Sequence, residues 1–198
     1  MTKQIGFFGG TFDPIHLGHI NLAIELMERA KLDEVWFCPA YLSPHKTDNA
    51  TKIIAPEHRI KMVELSISDV PNFKVIDNEI RREGTSYTFD TLKELSEQNP
   101  EIQFRLLLGE DSLLKFDKWR RVEELVKLAP PIVASRYGVN SFVSDLVREI
   151  IENNMIRTPI IEMSSTDVRE RLKKGLFCGH LIPRKVLDYI YRNRLYFY

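Results

Sequence analysis

Short apolar runs recur along the chain at 4–8, 34–38, 73–76, 103–108, 132–134 and 159–163, each of strand length. Between them, apolar residues fall at helical spacing over 17–30, 56–68, 88–98, 121–128, 141–153, 166–174 and 183–194. This alternation predicts an α/β fold: a doubly wound parallel sheet of about six strands, with right-handed crossovers and helices on both faces. Trp36 and Cys38 fall in the second run and are expected in the core. The polar stretch 42–56, with two prolines, reads as a loop. No repeat, low-complexity tract or linker divides the chain, so 1–198 reads as a single domain.

Composition narrows the function classes. Hydrophobic residues make up 43% and charged residues 28%, the balance of a soluble domain with a full core. The formal net charge of zero provides no general attraction to nucleic acid, so anion binding must come from local arrangement. Cys38 and Cys178 are too few for a disulfide framework or a four-ligand zinc site and point to a reducing compartment. With neither a leader pattern nor a membrane-length apolar stretch, the expectation is a cytoplasmic protein that binds no membrane.

The candidate chemistry begins at Gly9-Gly10-Thr11-Phe12-Asp13-Pro14-Ile15-His16-Leu17-Gly18-His19, between the first strand-like run and the first helix. Adjacent glycines there are expected to permit positive φ and close ligand approach, and a helix N-terminus favours an anion. His16 and His19, three apart, are expected on one side of the helix start, where both can donate to one phosphate chain. The spacing matches neither the dinucleotide fingerprint nor the Walker A pattern. A second helix start lies at 163–169. Ser164 or Ser165 can cap it, with Asp167 in the first turn and Val168, Leu172 and Leu176 as its buried face. The hydroxyls of Ser164, Ser165 and Thr166 and the guanidinium of Arg169 would equally suit a polyphosphate. Gly109 and Asp111 follow the fourth run, where a carboxylate can accept from ribose hydroxyls or cap the next helix. Trp119, in a charged stretch, is either half-buried packing or a stacking platform for a flat ring. Thr88 suits an N-cap, and His45 and Lys46 sit in the polar loop.

The eleven-residue segment resembles the signature of the nucleotidyltransferase superfamily with the His-x-Gly-His motif. Four further segments bring the resemblance to bacterial nicotinate-nucleotide adenylyltransferases: Ser43-Pro44-His45-Lys46, Gly84-Thr85-Ser86-Tyr87-Thr88-Phe89-Asp90-Thr91-Leu92, Gly109-Glu110-Asp111-Ser112-Leu113 and Met163-Ser164-Ser165-Thr166-Asp167-Val168-Arg169. The chain departs from that pattern at Ser43, Tyr137 and Met163, none of them a catalytic group. The resemblance implies a Rossmann-like nucleotidyltransferase fold and two partners, ATP and nicotinate mononucleotide. It implies that ATP meets Gly9, Gly10, Thr11 and Phe12, that His16, His19 and Lys46 stabilise charge in transfer, and that Gly109 and Asp111 contact adenosine. Ser164, Ser165, Thr166 and Arg169 would hold the β- and γ-phosphates. His45, Lys46 and Arg136 would meet acceptor phosphate; Trp119 would stack on the nicotinate ring, with backbone amides near Thr88 and Arg120 receiving its carboxylate. Mg²⁺ is expected to arrive with ATP, held by phosphate oxygens and water rather than by a protein metal site. Two rivals remain: another adenylyl- or cytidylyltransferase, expected to lack the 86–88 and Trp119 features, and a nucleotide-binding regulator without chemistry. A homo-oligomer is left open.

Overall fold

In the computed structural model, which describes residues 2–44, 53–135, 144–159 and 161–197, the first apolar run forms β1 (Lys3–Gly10), with Ile5, Phe7 and Phe8 buried. There follow α1 (Leu17–Ala30), β2 (Glu34–Pro39), α2 (Pro56–Ile67), β3 (Phe73–Val75), α3 (Asn78–Arg82) and α4 (Thr88–Gln98). Then come β4 (Ile102–Gly109), α5 (Glu110–Leu113), a 3-10 turn at Phe116–Lys118, α6 (Val122–Leu128) and β5 (Pro131–Ser135). The last elements are α7 (Asp145–Asn154), β6 (Met155–Arg157), α8 (Ser165–Lys173) and α9 (Arg184–Arg192).

The strands form one six-stranded sheet in the order β3-β2-β1-β4-β5-β6. β1 runs parallel to β4 with Lys3 opposite Ile102 and Phe7 opposite Leu106; β4 runs parallel to β5, and β5 to β6. The order proceeds one way from β1 through β3 and the other way from β4 through β6, so right-handed crossovers put helices on both faces. In β4, Phe104, Leu106, Leu107 and Leu108 are all buried, as a strand covered on both sides requires. Among the described residues, no helix is long and apolar enough to cross a membrane.

Two expectations are corrected. The sixth strand is expected at 159–163, where the described residues 159 and 161–163 are not in a strand. It is Met155–Arg157, paired with β5 through Val133 opposite Met155 and Ser135 opposite Arg157. Helix α7 runs into it at Met155 without a turn residue, so the helical period conceals where the strand begins. The short α3, α5 and 3-10 turn carry too few residues for a periodic signal. Trp36 is only half-buried, its ring edge-on to Phe104 and its indole N–H donating to Glu34 Oε2 at 2.7 Å, whereas Cys38 is fully buried. Burial pushes the Cys38 thiol well up, which keeps it protonated.

The chain divides into two compact units, one of Met1–Gly9, Leu22–Trp36 and Tyr87–Ile160, the other of Gly10–Asn21, Phe37–Ser86 and Ile161–Tyr198. The first buries Leu26, Val35, Leu92, Leu125 and Val147. The second buries Ile15, Phe37, Met62, Val168, Val186 and Ile190. Each holds part of the candidate chemistry.

Candidate functional site

In the second unit, the turn after β1 differs from expectation in its backbone. Gly9 and Gly10 are the last residues of β1, and the positive φ of 49° falls on Phe12 instead. Gly10 is small for another reason. A Cβ there would lie 2.9 Å from the Phe12 ring, so glycine makes room for that ring to fold in. Phe12 is buried, packs against Phe37, and stands edge-on beneath His19 with ring centroids 5.2 Å apart. It is a support for the histidine.

The two histidines do share a side: their rings stack at 3.7 Å. His16 lies just before α1, and its carbonyl accepts from His19 N and Ile20 N. A Cβ on Gly18 would sit 3.1 Å from the His16 imidazole, which explains the glycine between the histidines. His16 is buried and His19 half-buried, so the pair is not equally presented. The backbone N–H of His16 donates to His19 Nδ1 at 3.3 Å. With Nδ1 accepting, a neutral His19 carries its proton on Nε2, a donor of fixed direction at the helix start.

The start of α8 is tied to this turn. Ser164 is the N-cap, accepting from Asp167 N at 3.1 Å and donating to Asp167 Oδ2 at 2.6 Å, so the capping expectation holds for Ser164. Ser165 Oγ donates to Pro14 O at 3.0 Å. Arg169 donates to Asp13 O at 2.6 Å and to Thr166 Oγ1 at 3.2 Å. Val168 and Leu172 form the buried face as expected, but Leu176 lies beyond the helix and is 45% exposed. Gly175, at φ 65°, ends α8: Gly175 N donates to Leu172 O and Leu176 N to Arg171 O, which turns the chain away before the next helical repeat.

Three residues that sequence reasoning passed over hold the turn in place. Arg59 of α2 is fully buried and donates to Thr11 O at 2.8 Å, Ile54 O at 3.0 Å and Tyr41 O at 3.1 Å. Burial lowers its guanidinium from the ordinary value, and the Asp13 carboxylate and Tyr196 oppose that shift. Asp13 is itself buried and accepts from the Tyr196 hydroxyl at 2.7 Å. A signal for Arg59 existed: it shares a helix face with buried Met62, Val63 and Ser66, where an arginine is out of place unless it serves a purpose. None existed for the pairing of Tyr196 with Asp13.

The first unit holds the remaining described candidates. Gly109 closes β4 and is itself the N-cap of α5, which leaves Asp111 exposed in the first turn and not capping. Tyr87 occupies the N-cap of α4 and Thr88 is its first residue, so Thr88 does not cap either. Trp119 is half-buried, edge-on to buried Phe116 at 5.1 Å. Arg120 pairs with Asp90 at 2.9 Å and lies 4.7 Å over the Tyr87 ring, bringing the Trp119 segment to the first turn of α4, where Thr88 is. His45, Lys46 and Arg136 lie outside the described residues.

Comparison with known proteins identifies what these parts belong to. The Cytidylyltransferase-like family matches residues 7–171. The chain is 39% identical to the "Probable nicotinate-nucleotide adenylyltransferase" of Oceanobacillus iheyensis, over 98% of this chain and 97% of that protein. It is 40% identical to the protein of the same name from Carboxydothermus hydrogenoformans, over 98% of each. The chain belongs to the nicotinate-nucleotide adenylyltransferase family. A solved Plasmodium falciparum nicotinic acid mononucleotide adenylyltransferase, complexed with NaAD, superimposes with a TM-score of 0.78 over 98% of this chain and 97% of its own, at 23% identity. At that identity the likeness speaks to fold, and the fold is the one expected of an adenylyltransferase of this family. The donors described above are therefore candidates for meeting a polyphosphate.

Proposed function

We propose that the chain transfers the adenylyl group of ATP to nicotinate mononucleotide, giving nicotinate adenine dinucleotide and pyrophosphate, a step of NAD biosynthesis. The observation that carries the reading is the oriented donor at His19, set by the His16 N–H at the start of α1. The acceptor's 5′-phosphate is already an anion. It attacks the α-phosphorus in line, the bond to the bridging oxygen breaks, and pyrophosphate leaves with the electron pair. No protein nucleophile is needed, so catalysis is positioning and charge stabilisation.

In this reading His16, His19 and Lys46 offset charge at the phosphoryl group, the backbone from Gly9 to Phe12 lies along ATP, and Gly109 and Asp111 take the adenosine. Ser164, Ser165, Thr166 and Arg169 take the leaving pyrophosphate end, while His45, Lys46, Thr88, Trp119, Arg120 and Arg136 take the mononucleotide. Among the described residues no three His, Cys, Asp or Glu side chains cluster to hold a metal ion. In this reading Mg²⁺ arrives with ATP, held by the phosphate oxygens and water. The whole chain, 1–198, acts as one catalytic domain in the cytoplasm, where the free thiols of Cys38 and Cys178 stay reduced.

Arg169→Ala is expected to raise the ATP KM roughly tenfold, as loss of a charged hydrogen bond would, with a smaller rise for Ser165→Ala. A fall in melting temperature with unchanged kinetics would instead make both residues purely structural.

Pyrophosphate release measured with each mononucleotide tests substrate choice. Backbone N–H donors near Thr88 and Arg120 suit a carboxylate, whereas an amide NH₂ would face them donor to donor, leaving buried groups unpaired at about 1–3 kcal/mol each. Nicotinate mononucleotide is expected to exceed the nicotinamide form by at least about tenfold in kcat/KM, and Trp119→Ala to raise the KM of both while sparing ATP. Equal use of the two acceptors would refute the carboxylate pocket. An unchanged acceptor KM in the variant would return Trp119 to packing on Phe116.

A further inference from the structure

The Asp13 carboxylate is buried within the turn that carries Phe12 and leads to His16, and a charge removed from water must be met by donors or cations. Besides the electrostatic attraction of buried Arg59, three groups among the described residues meet it at close range. Tyr196 Oη donates to Oδ1 at 2.7 Å, Ile54 N donates to the same oxygen at 3.4 Å, and Arg169 Nη1 lies 3.9 Å from Oδ2. The shortest contact comes from beyond α9. Tyr196 is buried and holds φ at 69°, a left-handed backbone that costs a side-chain-bearing residue free energy and persists where its surroundings enforce it. The Asp13 carbonyl also accepts from Arg169 Nη1 at 2.6 Å, so the residue held by Tyr196 in turn orients the guanidinium.

We propose that Tyr196 is a positioning residue for the ATP end of the site: through Asp13 it sets the placement of Arg169 and of the turn below His19. This rests on the reading that Arg169 and that turn bind ATP. Tyr196 touches no reacting atom. A phenylalanine would fill the same volume and keep the packing, so the hydroxyl alone carries the effect. Without it the buried carboxylate draws more strongly on Arg169, and the arginine is withdrawn from phosphate.

The test uses the full-length protein and a non-hydrolysable ATP analogue. Tyr196→Phe is expected to weaken analogue binding and to raise the ATP KM by about five- to tenfold, as expected for loss of one hydrogen bond to a charged group, with the nicotinate mononucleotide KM within about twofold of the parent. Because Tyr196 acts through Asp13, adding Tyr196→Phe to Asp13→Asn is expected to produce no further loss of analogue affinity. Analogue binding unchanged in Tyr196→Phe, or losses that add in the double variant, would overturn the proposal. So would equal changes in both KM values, which mark a general structural defect. Arg169→Ala in the same titration separates the two levels. If it weakens binding while Tyr196→Phe does not, the positioning role alone fails. If it leaves binding intact, the ATP reading fails and takes the proposal with it.

Discussion

His19→Ala is expected to lower kcat by about 10²–10³-fold while changing ATP affinity only a few-fold, the behaviour of a donor aimed at charge that develops in the transition state. Several features converge on this residue. Its Nδ1 is occupied by the His16 N–H, so its available proton sits on Nε2. The ring is held from one side by stacking on His16 and from another by the Phe12 edge, which limits its rotation before substrate arrives. Phe12 can reach that position because residue 10 lacks a Cβ, and His16 because residue 18 does. Pre-orientation of this sort means little reorganisation as charge develops at the phosphoryl oxygens. Single-turnover rates and equilibrium binding of a non-hydrolysable ATP analogue separate the two effects. A variant that turns over within a few-fold of the parent would remove His19 from the catalytic role. His16→Ala has a compound expectation, since its buried ring also supports His19.

The parts of this site that were legible in the sequence are those fixed by neighbours along the chain. Helix α1 begins at Leu17 and ends at Ala30, as the apolar spacing predicts, because residues of one helix face announce themselves every three to four positions. A cap at Ser164 or Ser165 was legible for the same local reason, a hydroxyl ahead of an acidic first turn satisfying an N–H three residues on; the structure selects Ser164. Where the outcome depended on contacts far along the chain, local pattern misled. Gly9 and Gly10 are expected to permit positive φ, yet it falls on Phe12, the residue that packs beneath His19. The apolar run 159–163 reads as the sixth strand, but strand identity is decided by pairing, and it is Met155–Arg157 that pairs with Val133–Ser135. Thr88 and Asp111 each stand one or two places from the cap positions, taken by Tyr87 and Gly109, a difference of register that composition does not encode. The Tyr196–Asp13 contact spans almost the whole chain, and no periodicity reports it.

Arg59→Ala is expected to destabilise the fold by about 3–5 kcal/mol, the cost of breaking a buried charged network by removing one member. Arg59 joins Thr11, Tyr41 and Ile54, carbonyls from three separate segments, and a planar fork with several N–H donors can serve them together. Alanine leaves those oxygens without their donor, opens a cavity where the side chain lay, and removes a cation whose electrostatic partner is the buried Asp13. For a chain of this size the loss corresponds to a melting temperature lower by roughly 6–20 °C. Arg59→Lys keeps the charge but offers a compact ammonium in place of the fork, so it should fall between parent and alanine variant. Arg59→Met fills similar volume without charge or donors, which isolates the polar contribution from the cavity. Thermal unfolding of the three variants reads the order directly: parent most stable, then lysine, then methionine and alanine. Were methionine as stable as arginine, with ATP KM unchanged, the three carbonyls would not depend on this side chain, and the anchoring of the turn at Thr11 would have to come from Asp13 and its partners instead.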